Sequence, residues 1–281
     1  MTKILIDSAS DLETAEAAAR GIAFLPIEIR IGGEDYLDGE TLSHREFFEK
    51  LVETDEMPQT SQVNEYRFGD AFSSLTADGS EVVAITLSSK LSGTYASAVK
   101  AAKPYAGKVY VVDSLNACIG ERILMEYAVR LAEEGRGAKE IAVLLEEKCG
   151  KIMLLAVLDT LKYLRKGGRI SSVTAFAGEM LSIKPVISVV KGEVKLVGKA
   201  IGSKKGNNLL NRLVADCGGV DFSMPYVLGY SGLSDELLQK YIRDSEALWK
   251  PYTEQVPYYL IGSTIGTHVG PGAIAVAFFA K

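Results

Sequence analysis

The stretch "EVVAITLSSKLSGTYASAVKAAKPYAGKVYVVDS", residues 81–114, decides the fold. An apolar run at 81–87 reads as a strand, a serine-rich turn follows it, an alanine-rich helix comes next, and 108–114 is a second apolar run. "ERILMEYAVRLAEEG", 121–135, continues with helical periodicity. Strand, helix, strand, helix at this spacing is the pattern of parallel βαβ units, whose ligands sit at the carboxyl edge of the sheet. Asp7, Ser88 and Asp113 each follow an apolar run, so topology places all three along one crevice.

Working outward, Lys3 to Ile6 is a strand ending in "DSASD", and 12–20 is an alanine-rich helix with Gly21 as its cap. A hairpin-like excursion follows. Ser43 and Glu46 have capping-box spacing ahead of a helix, and the polar loop "TDEMPQTSQVN" leads into another. "AKEIAVLLEEKCG" closes this unit near Gly150. Beyond it the texture changes to alternating strands joined at Lys191 and Gly192, a helix, the strand "PYVLGYS", a helix, and late strands at "PYYLIGSTIG" and "GAIAVAFFA". The expectation is an α/β protein of two α/β domains, 1–150 with a mainly parallel sheet and 151–281 with a mixed sheet.

The 281 residues are 47% hydrophobic, enough for a sizeable core, and the net charge is −5. With no arginine-rich arm, such a chain has no general attraction for nucleic acid. The apolar run in "MTKILIDSASD" is too short for a signal peptide, and no segment reaches the roughly 20 apolar residues of a membrane span. Three widely spaced cysteines, Cys118, Cys149 and Cys217, suit reduced thiols in the cytoplasm.

Several motifs carry candidate chemistry. Ser92, Gly93 and Thr94 open a helix whose first amides favour an anion, although hydroxyls there are also ordinary caps. The motif is neither a P-loop nor a dinucleotide fingerprint. "MPQTSQ" offers the hydroxyls of Thr60 and Ser61, or simply turn chemistry. "RKGGRISS" sets Arg165, Lys166 and Arg169 around two glycines, either aimed at an anionic headgroup or solvated after a helix. "IGSTIGTHVGPG" mixes Gly266, Thr267 and His268, one of two histidines, into a glycine-dense segment that marks tight turns or close approach. No partner for His268 stands at metal-ligand spacing, so no metal is expected. Asp7 and Asp113 suggest a Mg²⁺-dependent phosphotransferase or hydrolase, while an Asp-initiated turn with a helix N-cap at Ser10 or Asp11 explains the same letters of "DSASD". Hydroxyls, a basic loop, one histidine and much apolar surface suit an amphiphile held by its carboxylate. Burying about sixteen methylene groups at roughly 0.8 kcal/mol each is worth on the order of 10 kcal/mol, so the donors orient the ligand more than they drive affinity.

In order along the chain, "ILIDSASDL", "MPQTSQ", "ITLSSKLSGTYASA", "VYVVDS", "LKYLRKGGRIS", "LSIKPVISVVKGEV" and "IGSTIGTHVGPGAIAVAF" resemble the successive motifs of the DegV family. The resemblance implies two α/β domains with a lipid tunnel between them, holding a long-chain fatty acid as ligand without a further cofactor. It implies a non-catalytic carrier, whose acyl carboxylate a separate ATP-dependent kinase subunit phosphorylates for phospholipid synthesis. Residue by residue, it assigns carboxylate binding to Thr60, Ser92 and His268. Ser61, Gly93, Thr94, Arg169, Gly266 and Thr267 stand in support. Lys199, Lys204 and Lys205 match the region where the kinase docks, in a thinner basic cluster than many relatives carry.

Overall fold

The structure is a computed structural model and describes residues 1–170 and 183–281. Ser171, the end of "LKYLRKGGRIS", and Leu181 and Ser182, the start of "LSIKPVISVVKGEV", lie outside the described residues.

The chain begins with β1 (Thr2–Asp7), α1 (Thr14–Ala19), β2 (Ala23–Leu25), β3 (Glu28–Ile31) and β4 (Glu34–Leu37). Next come α2 (His44–Glu53), β5 (Gln59–Thr60), α3 (Glu65–Thr76), β6 (Glu81–Thr86), α4 (Thr94–Ala102) and β7 (Val109–Asp113). Two helices, α5 (Cys118–Glu133) and α6 (Ala138–Cys149), precede β8 (Ile152–Val157), α7 (Lys162–Lys166), β9 (Ile183–Val190) and β10 (Glu193–Ile201). The chain ends with α8 (Gly202–Asp216), β11 (Tyr226–Tyr230), α9 (Glu236–Asp244), α10 (Glu246–Trp249), β12 (Tyr258–Leu260), α11 (Ser263–Val269) and β13 (Ile274–Phe279).

The βαβ reading of 81–114 holds. Strands in the order β2-β1-β6-β7 form a wholly parallel sheet, and β4-β3-β5 form a small antiparallel one beside it. A six-stranded sheet, β10-β9-β8-β13-β11-β12, is antiparallel except for its last pair. This is an α/β fold with two main sheet regions. The capping box at α2 forms as its spacing requires: the Ser43 hydroxyl accepts from Glu46 N–H, and Glu46 accepts from Ser43 N–H.

Helix α5 packs against both main sheets, touching β1 and β6 on one side and β8, β11 and β13 on the other. It is buried from Cys118 through Met125, as a helix enclosed between layers must be. One apolar cluster therefore runs from Ile6 and Val83 through Ile119 and Ile123 to Leu154 and Ala275.

Two expectations need correction. The helix near the amino terminus has Glu13, not Ser10 or Asp11, at its start; Asp11 sits in the left-handed region at φ 61° and ends a short turn of 3₁₀-helix. "PYYLIGSTIG" is a strand only at β12, and its second half is helical as α11. The cause is a distant cap. Asp38 accepts from Ser263 N–H at 3.1 Å, Thr264 N–H at 3.0 Å and the Thr264 hydroxyl at 2.6 Å, satisfying amides that a helix start otherwise leaves bare.

Candidate functional site

Four segments meet at the polar end of an internal cavity. Pairing of β5 with β3 fixes Thr60 opposite Ile29, and Ser61 N–H donates to Glu28 C=O at 3.0 Å. The α11 helix carries His268, whose Nε2 lies 3.1 Å from the Thr60 hydroxyl. His268 Nδ1 is buried and has no hydrogen-bond partner among the described residues. Burial first, and the Arg169 guanidinium second, pull the imidazole down to about 4, so the ring is neutral at pH 7. One nitrogen then donates while the other accepts.

The third segment is the turn after β6. Ser92 Oγ and Thr94 Oγ1 are 2.9 Å apart, Thr94 N–H donates to Ser92 Oγ at 3.2 Å, and Val63 N–H donates to Thr94 Oγ1 at 3.3 Å. Gly93 admits Gln62 over this turn, since a Cβ there would stand 1.9 Å from Gln62 Oε1. The fourth is the loop after α7, where Arg169 donates from Nη1 to Gly167 C=O at 2.7 Å and from Nε to Leu91 C=O at 3.2 Å. The guanidinium thus ties that loop to the Ser92 turn.

Thr60, Ser61, Ser92, Gly93, Arg169 and His268 all line a cavity of about 290 Å³. Its remaining wall is mostly apolar: Leu154, Ala156, Val189 and Ala275 come from strands of the six-stranded sheet, and Leu87, Leu91 and Ala117 from the loops that follow β6 and β7 at the carboxyl edge of the parallel sheet. Thr94, Gly266 and Thr267 stand behind this wall. Thr94 orients Ser92, and the Thr267 hydroxyl donates to Ser263 C=O inside α11. Gly266 lets α11 approach α2: a Cβ would sit 2.6 Å from Phe47 Cε1 and 2.9 Å from Phe48 Cζ. Gln62 and Thr264 also line the cavity. The first is the last residue of "MPQTSQ", where the sequence reading singles out only the two hydroxyls; the second sits in a stretch whose letters resemble a strand. Lys199 lies on β10, with Lys204 and Lys205 in the first turn of α8, all exposed and away from the cavity lining.

Asp7, Ser88 and Asp113 do stand at the carboxyl ends of their strands, yet none lines the cavity. They brace the loops. Asp7 accepts from Ala9 and Leu87 N–H, both at 2.9 Å, and Asp113 accepts from Ser89 N–H at 3.2 Å and Leu115 N–H at 2.9 Å. Burial pushes the Asp7 carboxyl up to about 7. Among the described residues, no group of three or more histidine, cysteine, aspartate or glutamate side chains is arranged to hold a metal ion. Likewise, no described helix is long and apolar enough to cross a membrane.

Hydroxyls, an imidazole and a guanidinium gathered beside a mostly apolar wall mark a ligand-sized cavity in a two-sheet α/β protein. The chain belongs to the DegV family: the model described as "Uncharacterised protein, DegV family" matches residues 1–281. A DegV domain-containing protein of Caldanaerobacter subterraneus subsp. tengcongensis is 33% identical over 281 residues, covering 99% of this chain and 98% of that protein. A fatty-acid-binding DegV family protein of Thermus thermophilus superposes with a TM-score of 0.88 at 27% identity, covering 100% of this chain and 99% of that one. A DegV family protein of Eubacterium eligens, loaded with heptadecanoic acid, superposes with a TM-score of 0.83 at 26% identity over the full length of both chains.

Proposed function

We propose that this protein is a carrier for a long-chain fatty acid, working in the cytoplasm with the acyl chain in a tunnel between domains at 1–150 and 151–281. The observation that carries the reading is the cavity itself: apolar walls from the six-stranded sheet and from the loops at the carboxyl edge of the parallel one, with the Thr60–His268 pair, Ser92 and Arg169 gathered beside them. Thr60, Ser92 and His268 take the carboxylate, and Arg169 supplies the compensating charge. Donors that are already held in place need little reordering when an anion arrives, so binding energy is not spent on fixing them. The fatty acids bound by the Thermus thermophilus and Eubacterium eligens relatives support the same ligand class.

The protein does not transform the acid. It presents the carboxylate to a separate ATP-dependent kinase subunit that forms the acyl phosphate, and Lys199, Lys204 and Lys205 belong to the docking face. Native mass spectrometry of protein purified without detergent, followed by organic extraction, tests the ligand class. The expected result is one long-chain acid per chain, or uptake of added palmitate or oleate. Thr60→Ala with Ser92→Ala should weaken retention by about tenfold or more, as two hydrogen bonds to a charged group are lost. Absence of both bound acid and uptake would overturn the reading.

A further inference from the structure

The hairpin of β9 and β10 is held in an unusual way. Strand β9 pairs with β8 only at Val186, Ile187 and Ser188, whereas Val189 and Val190 pair with β10 alone. The distal end of the hairpin is thus a two-stranded overhang, and two strands by themselves are marginally stable in water. Val189 and Val194, paired directly across this overhang, both line the cavity.

Val189 and Val194 are buried in the main apolar cluster, and the overhang's polar tie lies at its tip. Lys191 at φ 52° and Gly192 at φ 84° form the tight two-residue turn that positive φ at both positions allows. The Ser88 hydroxyl, fully buried, donates to Gly192 C=O at 2.8 Å across 104 residues of chain. The fit is close, since a Cβ on Gly192 would sit 2.5 Å from Ser88 Oγ and 3.1 Å from Lys90 Cγ. Ser88 also organises the carboxylate-binding turn: its carbonyl accepts from Leu91 N–H at 2.9 Å and Ser92 N–H at 3.2 Å, and its own N–H donates to Asn116 C=O at 2.7 Å.

The geometry points to the β9–β10 overhang being a gate for the acyl chain, with the Ser88–Gly192 hydrogen bond as its latch. This rests on the fatty-acid reading of the cavity. Swinging the tip outward withdraws Val189 and Val194 from the wall while the paired base of β9 stays in the sheet. A latch shared by the loaded and empty closed states governs how often the gate opens, not how well the ligand fits. Its loss should therefore speed entry and exit by the same factor.

Stopped-flow fluorescence with cis-parinaric acid, a fluorescent long-chain polyene acid, tests this on wild type, Ser88→Ala, Ser88→Thr and Gly192→Ala. Alanine at 88 keeps the backbone-to-backbone bonds that shape the Ser92 turn; with the hydroxyl go the bond to Gly192 and the one it accepts from Lys90 N–H at 3.2 Å, while Gly192→Ala disturbs the latch from the other side. Association and dissociation should both rise about three- to tenfold in Ser88→Ala, by a common factor, as the loss of the bond to Gly192 allows, and Ser88→Thr should restore the wild-type rates. Gly192→Ala, forced against Ser88, should shift both rates the same way. Hydrogen–deuterium exchange at 189–194 should quicken in Ser88→Ala even without ligand. Faster dissociation with unchanged association, or unchanged exchange at the tip, would overturn the latch. Failure of wild type to bind the probe would instead overturn the carrier reading, and the gate for an acyl chain with it.

Discussion

His268 carries the most at the scale of a single residue, because burial holds it neutral while its Nε2 meets the Thr60 hydroxyl at the cavity wall. Its folded value of about 4 lies below the ordinary 6.5, so between these limits the unfolded chain binds more protons. Its contribution to stability is complete above pH 6.5 and is lost as pH falls through 4, a difference on the order of 3 kcal/mol. Asp7 and Asp11 act with the opposite sign. Burial raises them to about 7 and about 6, so their contribution is present below 3.8 and lost as pH rises through those values. Wild type alone would report the sum. Urea denaturation of wild type and His268→Gln, compared at pH 7 and pH 4.5, isolates the histidine, since both aspartates remain in each protein. The stability advantage of wild type should shrink by about 2 kcal/mol or more on acidification; an advantage independent of pH would mean that the ring is not held neutral.

Among the elements, α11 depends most on something outside itself. Seven residues with an internal glycine do not sustain a helix unaided, and Asp38 supplies three hydrogen bonds at its start. Asp38→Ala should cost about 2–4 kcal/mol, seen as a lower thermal midpoint, because buried amides lose a charged acceptor. Under the proposed carrier function it should also loosen fatty acid retention, because α11 carries His268. Intact retention with full loss of stability would separate the helix start from the site. This element was also the least legible in the sequence. Apolar runs, a capping box and the Lys191–Gly192 turn are local signals, and the parallel sheet, the α2 start and the β9–β10 hairpin follow them. The cap on α11 reaches across 225 residues, and nothing near Ser263 announces it. The grouping of Thr60 with His268, 208 residues apart, is likewise invisible to spacing, and only the family motifs brought those letters together.

For the whole molecule, the question is whether two sheet regions behave as two bodies. Domains joined by modest polar surfaces move and unfold separately, whereas a large apolar junction couples them. Here α5 is buried between both sheets, and one apolar cluster spans Ile6, Ile123 and Leu154 beside the buried Glu121 and Arg122 of the same helix. Calorimetry should therefore show a single cooperative transition instead of two. A ligand in a cavity lined by the six-stranded sheet and by the loops after β6 and β7 stabilises that transition as a unit. At a free palmitate concentration one hundred times Kd, the gain is about 2.7 kcal/mol, or roughly 5 °C for a chain of this length. Two resolved transitions, with palmitate moving only one, would place the ligand within a single unit and break the link between cavity and junction. A single transition that shifts with palmitate in wild type, and shifts less in Thr60→Ala with Ser92→Ala, would tie retention of the acid to the carboxylate end of that shared cavity.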